Sequence, residues 1–161
     1  MILAWSQMKN TNKTKKQPKT KLIKELAGQF EEDLKHTIPL AVQPNGSVVY
    51  KNFVIKKNNR ENWNLHYLNS STIVEEYHLR SCALLAAKAY EKTDLNKFFE
   101  IKQLDSKYWA SYADSQVYEK NIKTAKDFSR YIVLLNKLED SRNRAEQLQQ
   151  RISTMFKWSF V

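Results

Sequence analysis

The residue types with the widest chemical reach are few: one cysteine and three histidines, His36, His66 and His78, in a chain of 161. His78 and Cys82 are four apart, so on a helix they share a face, and Glu75 and Glu76 lie just before them. Zinc asks for a full tetrahedral set of ligands, and one imidazole and one thiolate with neighbouring carboxylates fall short of it. A Cys–His nucleophile pair is the other chemistry these types could carry. Cys82, however, sits in the apolar run CALLAAKAY, and buried thiols are inert. Both residues therefore read as structural, Cys82 in a core and His78 on the surface near a helix start. No metal and no cofactor is expected.

Other catalytic signatures are excluded by the glycine count. Gly28 and Gly46 are the only two, so neither a dinucleotide fingerprint, nor a phosphate-cradling P-loop, nor a G-x-S-x-G nucleophile elbow can be built. The carboxylate runs Glu31-Glu32-Asp33 and Glu139-Asp140 lie beside lysines or arginines on polar helix faces and read as solvated surface rather than as an acid–base pair. The expectation is that the protein is not an enzyme.

The charge layout points to binding. The net charge is +10. Lys9, Lys13, Lys15, Lys16, Lys19, Lys21 and Lys24 fall within the first 24 residues with no acidic residue among them, whereas residues 25–161 hold 20 basic and 17 acidic side chains. Lysines strung along a polar segment can follow a phosphate backbone and release its counterions. Lys51, Lys56, Lys57 and Arg60 lie beside Tyr50, Phe53, Trp63 and Tyr67, a mixture that can pair with phosphates and stack on unpaired bases. The other reading of this mixture is a small sheet with aromatics facing the core and lysines facing water. The candidate nucleic-acid-binding set is thus the seven tail lysines with Lys56, Lys57 and Arg60. A candidate partner-binding set, Phe156, Trp158 and Phe160, lies in the aromatic segment MFKWSFV. That segment reads as docked on the chain's own core, at the hairpin, or as a plug for a partner protein.

The elements that must position these residues follow from the pattern of breakers. Residues 1–19 contain the polar, Lys-rich stretch 10–20 and read as a disordered basic tail. In the leading MILAWSQ, Met8 reads as the natural start and residues 1–7 as the product of an upstream start codon, with a small apolar anchor as the alternative; export is not expected. Residues 20–161 read as one domain. Leu22, Leu26, Phe30 and Leu34 predict a helix over 20–36, ended by Pro39. Residues 38–69 predict a two- or three-stranded antiparallel meander, with a turn at Pro44-Asn45-Gly46-Ser47, a strand over 48–57, a polar turn at 58–62 and a strand over 63–68; the apolar 38–42 can supply the third strand and residues 72–76 a short edge strand.

Beyond Gly46 there is no further glycine or proline, so long helices should fill the rest of the chain. Helices are predicted over 79–92, from 94 onward with a break near 105–107, and over 124–158. In the last, one heptad column reads Tyr131, Leu138, Ala145, Ile152 and a second reads Phe128, Leu135, Arg142, Gln149, Phe156. The charged stretch 139–151 then predicts a coiled-coil end or a projecting arm. The fold class is α+β, mostly helical, with the meander packed by helices on both sides and a long C-terminal helix. No apolar run is long enough to cross a membrane, so no membrane partner is expected. A single cysteine forms no intrachain disulfide, which fits a reducing compartment.

The segments IPLAVQPNGSVVYKNFVIKK, HLRSCALLAAKAY, LDSKYWASY, YIVLLNKLEDS and MFKWSFV resemble small proteins of tailed phages of marine cyanobacteria and related hosts, over residues 22–161. The resemblance carries no catalytic assignment. It implies a phage setting, in the cytoplasm of a bacterial host or in the virion. The expected function is a non-catalytic binding protein whose basic tail associates weakly, without sequence specificity, with nucleic acid. The alternative is a virion or assembly component acting, as partner contact or self-contact, through the C-terminal helix and aromatic C-terminus.

Overall fold

The computed structural model describes residues 41–160. The basic tail 1–19, the helix predicted over 20–36 and Val161 lie outside the described residues. So does any helix on the second side of the sheet that the 20–36 segment would supply.

Five antiparallel strands follow one another as neighbours: β1 (Ala41–Val42), β2 (Val48–Tyr50), β3 (Phe53–Lys57), β4 (Trp63–Tyr67) and β5 (Ile73–Tyr77). Apart from the two-residue β1, four full strands replace the two or three expected. One reason is a turn concealed in 48–57. Tyr50 pairs with Phe53, leaving Lys51-Asn52 as a two-residue hairpin loop. Lys51 has φ 51°, a position where glycine is the usual occupant, so the sequence carries no turn signal there. The Lys51 Nζ to Glu91 Oε1 ion pair at 2.8 Å anchors the strained residue. The turn at Pro44–Ser47 forms as expected, with Gly46 at φ 85° and the Asn45 side chain accepting from the Ser47 N–H. The predicted edge strand is a full β5, bulged where Leu65 opposes Glu75 but His66 opposes Ile73.

Three helices follow: α1 (Arg80–Glu91), α2 (Leu95–Lys123) and α3 (Phe128–Phe160). The register puts Val48, Ile55 and Leu65 in one row and Tyr50 and Phe53 in the next, all buried on one sheet face. That face packs on α1. Residues 80–87 are buried without interruption, because α1 lies between the sheet and the pair α2–α3. A helix enclosed in this way must be apolar nearly all round, and SCALLAAKA meets that condition.

The long pair α2–α3 is a helical hairpin, roughly 45 Å in length at 1.5 Å per residue. The predicted break near 105–107 does not occur; Asp105 is buried in the middle of α2 and serves a neighbouring element. On α3 the column Tyr131, Leu138, Ala145, Ile152 is buried throughout, as its spacing requires. The partner column beside it is buried Leu134 and Ser141 continued by half-buried Leu148 and Met155, the serine concealing it in the sequence; of the expected column Phe156 is buried while Phe128, Leu135, Arg142 and Gln149 are half-buried. The stretch 139–151 is therefore no free arm. Ser141 and Ala145 pack inward, and Leu148 joins the main core. The far end is made instead by Ile122, Tyr131, Leu134 and Leu138, a second apolar cluster.

Between the two clusters the hairpin has a waist of small residues. Ser111, Ser115, Ser141 and Ala145 are buried, and each serine hydroxyl donates to a carbonyl one turn back in its own helix, from Ser111 to Lys107, Ser115 to Tyr112 and Ser141 to Lys137. Short side chains with internally satisfied hydroxyls let the two backbones approach. Enlarging this contact should force them apart: Ala145→Leu is expected to lower stability by roughly 1–3 kcal/mol. Urea denaturation checks this, and an unchanged midpoint would show that the waist is loosely packed.

Candidate nucleic-acid interface

The His78–Cys82 region is assembled from the end of β5, the start of α1 and one face of α2. Leaving β5, the backbone gives up its ladder at His78 and Leu79 before α1 begins, and Leu79, in the N-cap position, has no polar side chain to offer. Asp105 supplies what is missing. Its carboxylate accepts from the His78 N–H at 2.8 Å and the Leu79 N–H at 2.9 Å. Two further residues on this face of α2 reinforce the contact. Lys102 donates to the Glu76 carbonyl and lies 3.3 Å from Glu75, while Trp109 stacks on the His78 ring at 4.6 Å and 6°.

The electrostatics follow from this burial. Asp105 is fully buried; burial pushes its carboxyl up to about 6, although the His78 and Leu79 N–H groups, Lys102 and the Cys82 thiol all favour the ionised form. Burial and the Lys102 charge lower the proton affinity of His78, against the pull of Glu76. Burial alone would raise Glu76, but donors from Asn58 and Asn62, with Arg60 and Lys102 nearby, hold it below the ordinary carboxylate value. The imidazole is turned toward Asn62 Oδ1, 3.1 Å from its Nδ1, and Cys82 is fully buried. Among the described residues no three His, Cys, Asp or Glu side chains are grouped to hold a metal ion. What this arrangement does is lock a strand end, a helix start and the middle of α2 together.

The hairpin cations are dispersed rather than gathered. Lys56 and Lys57 are exposed and, as strand neighbours, point to opposite faces. Arg60 is tied to Glu76 at 2.9 Å, in a turn organised by the Asn58 side chain, which accepts from the Arg60 and Asn62 N–H groups. Tyr50 and Phe53 are buried in the core; Trp63 is half-covered, with Lys57 and Arg80 over its ring; only Tyr67 of the four is exposed. At the C-terminus Phe156 is buried and Phe160 meets Tyr50 edge-on at 5.5 Å, so these two aromatics do dock at the hairpin. Trp158 is 86% exposed. Lys9, Lys13, Lys15, Lys16, Lys19, Lys21 and Lys24 lie outside the described residues.

Two groups escaped the sequence reading. Asp105 lies where the sequence predicts a break, near 105–107, and is instead a buried residue in the middle of α2. Leu95 and Phe99, on α2, are exposed, and a helical wheel would have revealed them, because their direction is far from that of Ile101, Leu104 and Tyr108. Family models, curated proteins and solved structures show no match to the chain. No described helix is long and apolar enough to cross a membrane.

The Asp105 geometry sets a pH dependence. An acid whose pKa is raised on folding binds more protons in the native state, so its contribution to stability is greatest below about pH 4 and is lost as pH rises through about 6. Glu76 and Glu91, held low, act in the opposite sense, and comparison with a variant cancels them. Between about pH 4 and pH 7 the wild-type chain should lose roughly 2 kcal/mol relative to Asp105→Asn. Urea titrations of both proteins across that range measure the difference; parallel pH profiles would show that Asp105 titrates normally.

Proposed function

We propose that the protein is a non-catalytic binding protein that associates with nucleic acid through its basic N-terminal segment, weakly and without sequence preference. The observation that carries this reading is the separation of charge. Seven lysines without one acidic residue occupy the first 24 positions. Six cations of the body, by contrast, face carboxylates: Lys51 with Glu91, Arg60 with Glu76, Lys102 with Glu75, Arg142 with Glu146, Arg144 with Asp114 and Arg151 with Glu100. By sequence, the longest run of cations without an acidic residue is the N-terminal segment, with Lys56 and Lys57 as the hairpin's contribution. Phosphate contacts position a strand but do not specify its sequence. The resemblance to tailed-phage proteins gives this reading its setting, the cytoplasm of an infected bacterium.

If about half of the seven lysines engage a single strand, the log–log salt slope of binding is about −2 to −3, at −0.7 per contact. Deleting residues 1–21 should remove most of that slope and leave the melting temperature unchanged. Equal binding by the truncated chain would make the segment a solubilising extension only.

A second reading, a virion or assembly component acting through α3, is supported by Trp158, whose ring stands out from the helix between the docked Phe156 and Phe160. Trp158→Ala should then dissolve a dimer or larger species seen by size-exclusion chromatography with light scattering; a wild-type monomer absent from purified particles would remove this reading.

A further inference from the structure

Where α1 meets α2, aromatic side chains form a continuous surface. Tyr67 lies over Phe53 at 5.6 Å, and its hydroxyl meets that of Tyr90; Tyr90 contacts Phe98 at 5.9 Å, and Phe98 contacts Phe99 at 6.0 Å. Phe53 belongs to the core, but Tyr67, Tyr90, Leu95 (63% exposed) and Phe99 (55% exposed) face outward. An open groove of about 300 Å³ lies beside Tyr90 and Leu95, lined by these two and Phe98 with Ala89, Thr93 and Asp94; Tyr67 and Phe99 join this surface through their contacts with Tyr90 and Phe98. An apolar surface of this kind, assembled from several elements, marks an interaction site rather than scattered surface residues.

The rim of this surface is cationic. Lys92 and Lys97 immediately precede the groove-lining residues Thr93 and Phe98, and burial followed by the charges of Lys92, Lys51 and Lys97 lowers the proton affinity of Lys88, with Glu91 opposing. The carboxylates of the rim are already committed. Glu91 pairs with Lys51, and Asp94 caps α2 by accepting from the Lys97 N–H. Lys92 and Lys97 have no ion pair among the described residues. Like charges held around an aromatic surface suit a ligand that brings both planar rings and negative charge.

We infer that Tyr67, Tyr90, Leu95 and Phe99 form a platform for the unpaired bases of a single-stranded nucleic acid, whose phosphates are met by Lys92 and Lys97. This rests on the proposed association with nucleic acid and deepens it: the N-terminal segment supplies affinity for any phosphate backbone, and the platform supplies preference for single strands. Bases within a duplex present no free ring face to it.

The test uses the full-length chain and two fluorescent probes, a thymidine homopolymer and a duplex of equal length, with binding read by anisotropy. Phe99→Ala should weaken homopolymer binding by about 5- to 100-fold, as loss of one base–aromatic stack does, and leave duplex affinity and the salt slope nearly unchanged. Lys92→Glu with Lys97→Glu should instead reduce the salt slope. Leu95→Ser, on the same exposed face, serves as a second variant if Phe99→Ala lowers the melting temperature. Unchanged homopolymer binding in the Phe99 and Leu95 variants, with binding lost on deleting residues 1–21, overturns the platform and leaves the N-terminal reading intact. Absence of binding by the wild-type chain overturns both. Unchanged binding together with dissolution of a dimer assigns this face to a second copy of the chain and overturns the platform.

Discussion

The fold turns on one carboxylate. Asp105 is the buried acceptor for two N–H groups that the chain frees when it leaves β5 and starts α1. A buried donor left without an acceptor costs about 1–3 kcal/mol, and Leu79 has nothing of its own to give. The arrangement therefore fixes more than a cap. It sets α2 in one axial position against the sheet, since Lys102, Asp105 and Trp109 must each reach their own partner at once. With α2 placed, the heptad seam places α3, and α3 brings Phe156 and Phe160 back to Tyr50. The cost is a carboxylate kept charged inside the protein, visible in its raised pKa.

Much of this architecture was legible because its signals are local. The absence of glycine and proline beyond Gly46 announced long helices, and α1, α2 and α3 occupy nearly all of residues 80–160, although β2 to β5 are built from the same breaker-free stretch. The turn at Asn45-Gly46 and the alternation in β4 were equally plain. The features that escaped depend on partners far away in sequence. Lys51 turns a hairpin without glycine, and its ion-pair partner there, Glu91, lies forty residues on. Asp105 sits in mid-helix because its partners are on another element. Ser141 is fully buried in the seam with its hydroxyl satisfied by the Lys137 carbonyl of its own helix, so a rule that scores serine as polar selects the wrong column. In each case a tertiary contact overrode a correct local preference.

The candidate surface was legible only in part, for a related reason. Composition revealed where net charge accumulates but not which cations are neutralised by carboxylates from other elements, as Arg60 is by Glu76. Alternation identified aromatic residues on strands, but only packing decides which of them remain outside; Tyr50 and Phe53 went to the core and Tyr67 did not. Cys82 was read as a core residue, and it is fully buried on α1; His78, read as a surface residue, is half-buried beneath Trp109. Leu95 and Phe99 are the instructive pair. They are apolar residues on a helix whose wide apolar circumference hides two separate directions, one toward the core and one outward.

The serine waist of the α2–α3 hairpin has a consequence for how the molecule comes apart. Apolar surface is concentrated at its two sides, in the main core and in the cluster of Ile122, Tyr131, Leu134 and Leu138, while the waist itself contributes little. Cooperativity in a protein follows shared burial, and regions with separate apolar clusters open as separate units. The far end of the hairpin, with its own cluster, is therefore expected to open as a small foldon of its own. Such a unit frays and recloses while the sheet, α1 and the roots of α2 and α3 stay intact, so its backbone amides should exchange with solvent through local opening rather than through global unfolding.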